Sequence, residues 1–184
     1  MPATNHQGLQ IVKELGRGTS GIVHLVSTSR GERYCLKEVR TTPECVHEVM
    51  SEVEVLKKAG THANIVTFHD YWMKRNKLFI LMEYCANGTL YDLIRTYRLQ
   101  RKHFTTAKLQ CYLLELAEAL EFCHVELRTV HRDIKPANIL IDGMGSLKIG
   151  DFGLSKELKH QRTLMCATFC GTPLYLAPEQ CRRG

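Results

Sequence analysis

Short apolar runs broken by glycine or polar turns fill the first third of the chain: LQIVKEL at 9–15, GIVHLVS at 21–27 and RYCLKEV at 33–39. Runs of this length, rich in Val, Ile and Leu, predict three strands joined by hairpins. The period then changes. In ECVHEVMSEVEVLKKAG, Val46, Val49, Val53 and Leu56 step by three, four and three residues before Gly60, which predicts a helix with one apolar face. NIVTFHDYWM and KLFILMEY return to strand character, so five strands and one helix are expected before about residue 84. Further on, Leu109, Leu113, Leu116, Leu120 and Cys123 mark a helix across TTAKLQCYLLELAEALEFCH, with Thr105 or Thr106 as its cap. ILI and LKI flank the turn DGMGS as two short strands, and the segment from Asp151 onward reads as irregular. The pattern is a small sheet-rich part followed by the beginning of a helical one, joined near Glu83 to Gly88.

Composition narrows this picture by exclusion. A chain of 184 residues can bury roughly 70% of its unfolded surface, enough for a real core. Its excess of 25 Lys and Arg over 19 Asp and Glu suits anionic ligands. The basic residues are dispersed through KELGRG, KKAG, MKRNK and RLQRK, without the long stripe or aromatic interleaving of a nucleic-acid binder, so no specific nucleic-acid binding is expected. The eight cysteines lack C-x-x-C spacing, and MPATNHQGLQ has no apolar core segment. They read as reduced thiols of a cytoplasmic or nuclear protein rather than as a disulfide framework or a zinc site. The apolar runs fall short of a membrane span, so no membrane insertion is expected.

GRGTSGIV places Gly16, Gly18 and Gly21 between two predicted strands, where glycines let the backbone approach phosphate oxygens and Val23 can cover an adenine ring. Alone, the segment also reads as an ordinary glycine hairpin. A dinucleotide fingerprint would need a helix after the third glycine, whereas IVHLVS has strand character. Lys37, in the third predicted strand, would ordinarily be a solvated edge charge; Glu52, beside the apolar face of the following helix, offers a carboxylate to orient its ammonium. HRDIKPANIL holds the densest chemistry. Asp133 can accept a proton from an attacking hydroxyl, Lys135 can neutralise charge on a transferred group, and Asn138 offers an amide oxygen to a divalent ion. Asp151 of DFG adds a carboxylate, a sparse pair that suits Mg2+ completed by phosphate and water oxygens.

The glycine loop, Lys37, Glu52, HRDIKPAN, DFG and APE occur in this order across nearly the whole chain, and together they resemble the eukaryotic protein kinase family. The resemblance implies an α+β fold of two lobes. Residues 1–83 would form the nucleotide-binding lobe, with a five-stranded sheet and one helix, and 84–184 part of the second lobe, lacking the helices that follow APE. It implies ATP and Mg2+ as cofactors and proteins as substrates. Met82 would guard the back of the nucleotide pocket, the backbone at Glu83 and Cys85 would meet adenine, and Leu140 would lie beneath the ring. Phe68, Leu56, Phe152 and His131 would form a packing stack. DIKPAN and GTPLY resemble the serine/threonine branch, while LMEYCANGTL and KIGDFGLSKEL are loosely similar to the NIMA-related and neighbouring kinases.

By the same resemblance Thr168 stands where related kinases carry an activating phosphate, with Arg132 as its partner; the plainer reading of Thr168 is a polar loop residue. Cys35 departs from the usual small alanine of VAIK. Its sulfur either narrows the pocket or packs as a small apolar group, and the second reading is preferred. Cys85 is expected to be structural yet reachable by a thiol reagent. His131 is expected to be a core residue, and His24, His47, His69 and His160 surface ones. Without the later helices, the 105–124 helix would expose part of an apolar face. Two functions are consistent with these residues: a serine/threonine protein kinase, and a nucleotide-binding or partner-binding fragment with little transfer activity.

Overall fold

The computed structural model describes residues 8–18, 21–60, 62–157, 171–176 and 178. The chain folds as two compact units, one of residues 1–61 and 66–85, the other of 62–65 and 86–184.

The first unit is an antiparallel five-stranded sheet with one helix. Strands β1 (Gln10–Gly18), β2 (Gly21–Ser27), β3 (Arg33–Arg40), β4 (Phe68–Met73) and β5 (Lys77–Glu83) assemble in the order β1-β2-β3-β5-β4, and α1 (Val46–Ala59) lies between β3 and β4 in sequence. The register of β3 explains its two-sided character. Cys35 stands opposite Leu25 and Met82, and Lys37 opposite Val23 and Ile80, so these six share one sheet face. Leu36, directed the other way, packs with Val26 and Leu81, and Trp72 stacks on Phe79 beside them at 5.4 Å between ring centroids. On α1 the expected apolar face is present and wider than its repeat implied, with Val53, Val55, Leu56 and Ala59 all buried.

The β1–β2 turn makes unequal demands on its glycines. Gly21 has φ of 127°, and a Cβ there would lie 2.3 Å from the backbone oxygen of Glu38. At Gly16 and Gly18 a Cβ would meet no atom within 4 Å. Gly21→Ala is therefore expected to cost about 1–3 kcal/mol, from backbone strain and the clash with Glu38. Gly16→Ala and Gly18→Ala should leave the urea midpoint nearly unchanged, and equal midpoints for all three variants would refute the distinction.

The second unit is built around α2 (Leu90–Leu99), α3 (Thr106–Val125) and the hairpin of β7 (Ile139–Ile141) and β8 (Leu147–Ile149). Tyr112, Ile139, Ile141 and Leu147 form its core, with Leu90, Leu93, Phe104, Leu116 and Ile134 against them. The hairpin turn is held by Asp142, whose Oδ1 accepts from the backbone N–H groups of Met144 and Ser146 at 2.9 and 3.0 Å. Two further strands of two residues each, β6 (Thr129–Val130) and β9 (Lys156–Glu157), pair antiparallel. Leu109 and Leu113 of the apolar repeat on α3 are exposed, as is Leu114 beside them. Among the described residues no helix is long and apolar enough to cross a membrane.

Two sequence expectations are corrected, and one helix is added. NIVTFHDYWM is a strand only from Phe68, because Asn64 and Ile65 join the second unit: Asn64 donates its side-chain amide to the Leu147 carbonyl at 3.0 Å and accepts from the Ile149 N–H at 2.9 Å. The segment after Asp151 is not wholly irregular, since it contains β9 and the 3-10 turns Phe152–Leu154 and Pro173–Tyr175. Helix α2 was not expected at all. Thr89 and Asp92 close a reciprocal capping box at its start, a signal present in the sequence as T-x-x-D.

Candidate active site

The candidate residues fall into two groups, one in each unit.

In the first unit, Lys37 and Glu52 form an ion pair in the protein interior. The ammonium of Lys37 donates to both carboxylate oxygens, at 2.7 and 2.8 Å, with the side chains 4% and 3% exposed. β3 carries Lys37 on the sheet face shared with Cys35, and α1 brings Glu52 to it, so the pair reports that strand and helix are docked. Such a lysine has one orientation, with Val23 beside it across the β2–β3 register. Burial pushes the Cys35 thiol up to about 11 against the opposing pull of Lys37, so Cys35 is a neutral thiol. Its position opposite Leu25 and Met82 agrees with the reading as a small apolar group. Met82 and Cys85 are both buried, with 7% of each still exposed, which agrees with a packing role for Cys85. Glu83 accepts from the Thr67 N–H through Oε1 at 2.9 Å, and its own N–H returns to the Thr67 carbonyl at 2.9 Å, which pins the end of β5.

In the second unit the loop between β6 and β7 concentrates the polar groups. His131, 1% exposed, accepts the Asp133 N–H at Nδ1 and so presents Nε2–H to the Gly150 carbonyl at 3.0 Å. Burial lowers its pKa below the usual imidazole value, in keeping with a neutral ring fixed in one tautomer, and the ring meets Phe152 edge-on at 4.8 Å. His131 is a core residue, as expected. His24 is half-buried rather than a surface residue, and its Nδ1 has no hydrogen-bond partner among the described residues.

Asp133 is the centre of the network. Its Oδ1 accepts from the Thr172 hydroxyl at 2.7 Å, and its Oδ2 accepts from Lys135 at 2.7 Å and from the Asn138 amide at 2.9 Å. Lys135 also donates to the Thr172 oxygen at 2.7 Å, closing a triangle of Asp133, Lys135 and Thr172. Burial opposes ionisation of Asp133, but the hydrogen bonds from Lys135, Thr172 and Asn138 outweigh it and hold the carboxyl below its ordinary 3.8. Asp133 is thus a charged acceptor, 9% exposed, at neutral pH. Gly171, at φ of 111°, brings the Thr172 segment so close that a Cβ on it would lie 2.6 Å from the Arg132 carbonyl.

Asn138 is oriented without ambiguity. Its Nδ2 faces two acceptors of Asp133, the backbone oxygen at 2.8 Å and Oδ2, so Oδ1 is turned the other way. The Gly150 N–H bonds the Asn138 carbonyl at 3.0 Å, which sets Asp151 directly after a residue tied to Asn138. Asp151 adopts the left-handed region, φ 57° and ψ 68°. One amide oxygen and one carboxylate fit Mg2+ that draws its remaining ligands from phosphate and water. Among the described residues no cluster of three or more His, Cys, Asp or Glu side chains suits a metal held by protein alone.

Leu140 is half-buried on the hairpin face opposite the core residues Ile139 and Ile141. Arg132, at φ of 67°, donates Nε to the Leu154 carbonyl at 2.6 Å. Thr168 lies outside the described residues, so its expected pairing with Arg132 does too. The contact of Thr172 with Asp133 spans 39 residues and has no local sequence signal.

Comparison with known proteins adds an independent finding. The protein kinase domain family matches residues 9–183. The chain is 35% identical to Aurora/IPL1-related protein kinase 2 of Caenorhabditis briggsae, over 92% of this chain and 55% of that one. It is 34% identical to NUAK family SNF1-like kinase 2 of Homo sapiens over 92% of this chain and 26% of the relative, and 33% identical to CBL-interacting serine/threonine-protein kinase 7 of Arabidopsis thaliana over 92% and 40%. The chain therefore spans between about a quarter and about half the length of these relatives. The narrower likeness to NIMA-related kinases remains an expectation read from two short strings.

Proposed function

The chain belongs to the protein kinase family, and from that membership we propose that it transfers the γ-phosphate of ATP to serine and threonine hydroxyls of protein substrates. The observation that best supports the reading is the charged Asp133 held between Lys135, Thr172 and Asn138. A carboxylate kept ionised and fixed in direction is what an attacking hydroxyl needs from its proton acceptor. Lys135, already beside Asp133, offsets charge that develops on the transferred group.

In this reading Lys37, oriented by Glu52, engages the phosphates. The open positions at Gly16 and Gly18 leave backbone accessible to phosphate oxygens. Val23, Cys35 and Met82, which share one face of the sheet, would meet adenine, and the backbone at Glu83 and Cys85 would hydrogen-bond it. Asn138 Oδ1 and Asp151 hold Mg2+, which when bound neutralises charge on the phosphate oxygens. Most of the acceleration then comes from positioning and charge stabilisation rather than covalent chemistry by the protein.

The test is transfer of radiolabel from γ-labelled ATP, with Mg2+, to mixed peptides that differ only in carrying Ser, Thr or Tyr. Label on the Ser and Thr peptides, and none on Tyr, is expected. A Mg·ATP-dependent rise in melting temperature without transfer to any peptide would overturn the reading and leave a nucleotide-binding chain.

A further inference from the structure

Helix α2 gathers charges that are scattered in sequence. Between Asp92 and Glu115 there is no carboxylate side chain, while Arg95, Arg98, Arg101, Lys102 and Lys108 carry positive charge, a local +5 in a chain whose net charge is +6. Helical spacing then sorts the residues. Leu90, Leu93 and Tyr97 are half-buried, and Leu90 and Leu93 pack on the core of the second unit. Tyr91, Arg95, Arg98 and Leu99 are exposed and follow one another around a common outer face.

The helix end fixes where the last cations sit. The Lys102 N–H returns to the Tyr97 carbonyl at 2.9 Å and the Arg101 N–H to Arg98 at 3.2 Å, with Arg101 at φ of 52°. This is the closing pattern of a helix that commonly uses glycine at the left-handed position. Tyr97 stacks on Phe104 at 4.5 Å, and Phe104 packs on the core, so the turn is fastened from its inner side. Lys108, on α3, is engaged, donating to the Gly145 carbonyl at 3.1 Å and lying over the Tyr112 ring, whereas the other four cations are placed but not used. Among the described residues, Arg95, Arg98, Arg101, Lys102 and His103 make no side-chain hydrogen bond or ion pair, and Asp92 is engaged in the capping box. Tyr91 is 54% exposed and Leu99 75%, giving the basic face an apolar group at each end.

We propose that the outer face of α2 and the turn that follows it, Tyr91, Arg95, Arg98, Leu99, Arg101 and Lys102, is a docking surface for an acidic segment of a protein partner. Charge complementarity argues for an anionic occupant. The form of the face argues for an extended peptide carrying an apolar residue for Leu99. A helix of this length spans about 15 Å, too short for the area a nucleic-acid interface ordinarily buries. A membrane-surface helix needs its apolar side free for lipid, whereas Leu90 and Leu93 are already committed to the core. Docking here is read by binding and is independent of phosphate transfer.

The test is fluorescence anisotropy of a fluorescein-labelled glutamate-leucine peptide titrated with the chain. Saturable binding that weakens about tenfold or more in Arg95→Glu/Arg98→Glu/Lys102→Glu is expected, with a smaller loss in the neutral triple of Gln substitutions and weakening as salt rises. The same charge change placed elsewhere, Arg30→Glu/Arg33→Glu/Lys74→Glu, should leave binding at the parent level. No binding by the parent, equal loss in the control triple, or tighter binding of a single-stranded oligonucleotide or of phosphatidylserine vesicles would overturn the proposal. Failure here would leave transfer to plain Ser and Thr peptides untouched, and failed transfer would leave this binding intact, so the two readings are separable.

Discussion

Replacing Asp133 with asparagine is expected to lower phosphate transfer by about 10²–10⁴-fold while leaving the Mg·ATP-dependent rise in melting temperature in place. The substitution keeps the shape of the side chain and one oxygen for Lys135 or Thr172, so the loop has little reason to rearrange. What it removes is the charge and the ability to take a proton. Single-turnover transfer compared with the thermal shift measures the two effects separately. Transfer at the parent rate would show that Asp133 is not the proton acceptor.

The same variant carries a pH signature in stability. Asp133 has a folded pKa held below the ordinary 3.8, so its ionised, hydrogen-bonded form favours the folded state. That contribution is present above the unfolded pKa and is lost as pH falls through the lower folded value. The parent should therefore lead Asp133→Asn in stability by a constant margin near neutrality. The margin should shrink once the pH drops below the ordinary 3.8. A margin that instead grew on acidification would contradict the hydrogen-bond pattern around Asp133.

How much of this was legible in the chain depends on whether a feature is local. Strands β2, β3 and β5 and helices α1 and α3 were readable because each carries its own period, from Val46 to Leu56 and from Leu109 to Cys123. Asp133, Lys135 and Asn138 were readable as chemistry because they crowd one loop. Helix α2 escaped notice because Arg95 and Arg98 obscure its narrow inner stripe of Leu90, Leu93 and Tyr97, although Thr89 and Asp92 marked its start. The pairing of β6 with β9 could not be read, since two-residue strands have no period. Nor could the seat of Thr172 on Asp133, or that of Asn64 on Leu147 across 83 residues, because both depend on how distant segments are brought together. Sequence supplied the reacting groups; tertiary packing supplied their directions.

The second large effect concerns the Lys37–Glu52 pair, where activity and stability should part company. Lys37→Met leaves the Glu52 carboxylate, 3% exposed, without the ammonium that both its oxygens contact. Breaking a buried pair from one side costs about 3–5 kcal/mol, a large share of the roughly 5–15 kcal/mol that holds a typical domain. The expected result is a marked drop in urea midpoint, with faster hydrogen exchange in α1 and β3, together with loss of transfer. The double variant Lys37→Met/Glu52→Leu removes both charges and should recover most of the stability, because no uncompensated ion remains inside. It should recover no transfer, since the cation proposed to engage the phosphates is still missing. This contrast separates the two roles of the pair. A single variant as stable as the parent would mean that Glu52 finds other compensation, and a double variant that regained transfer would remove Lys37 from the chemistry. If both behave as expected, the pair is held for the direction it gives the lysine, because two apolar side chains would hold α1 to the sheet about as well.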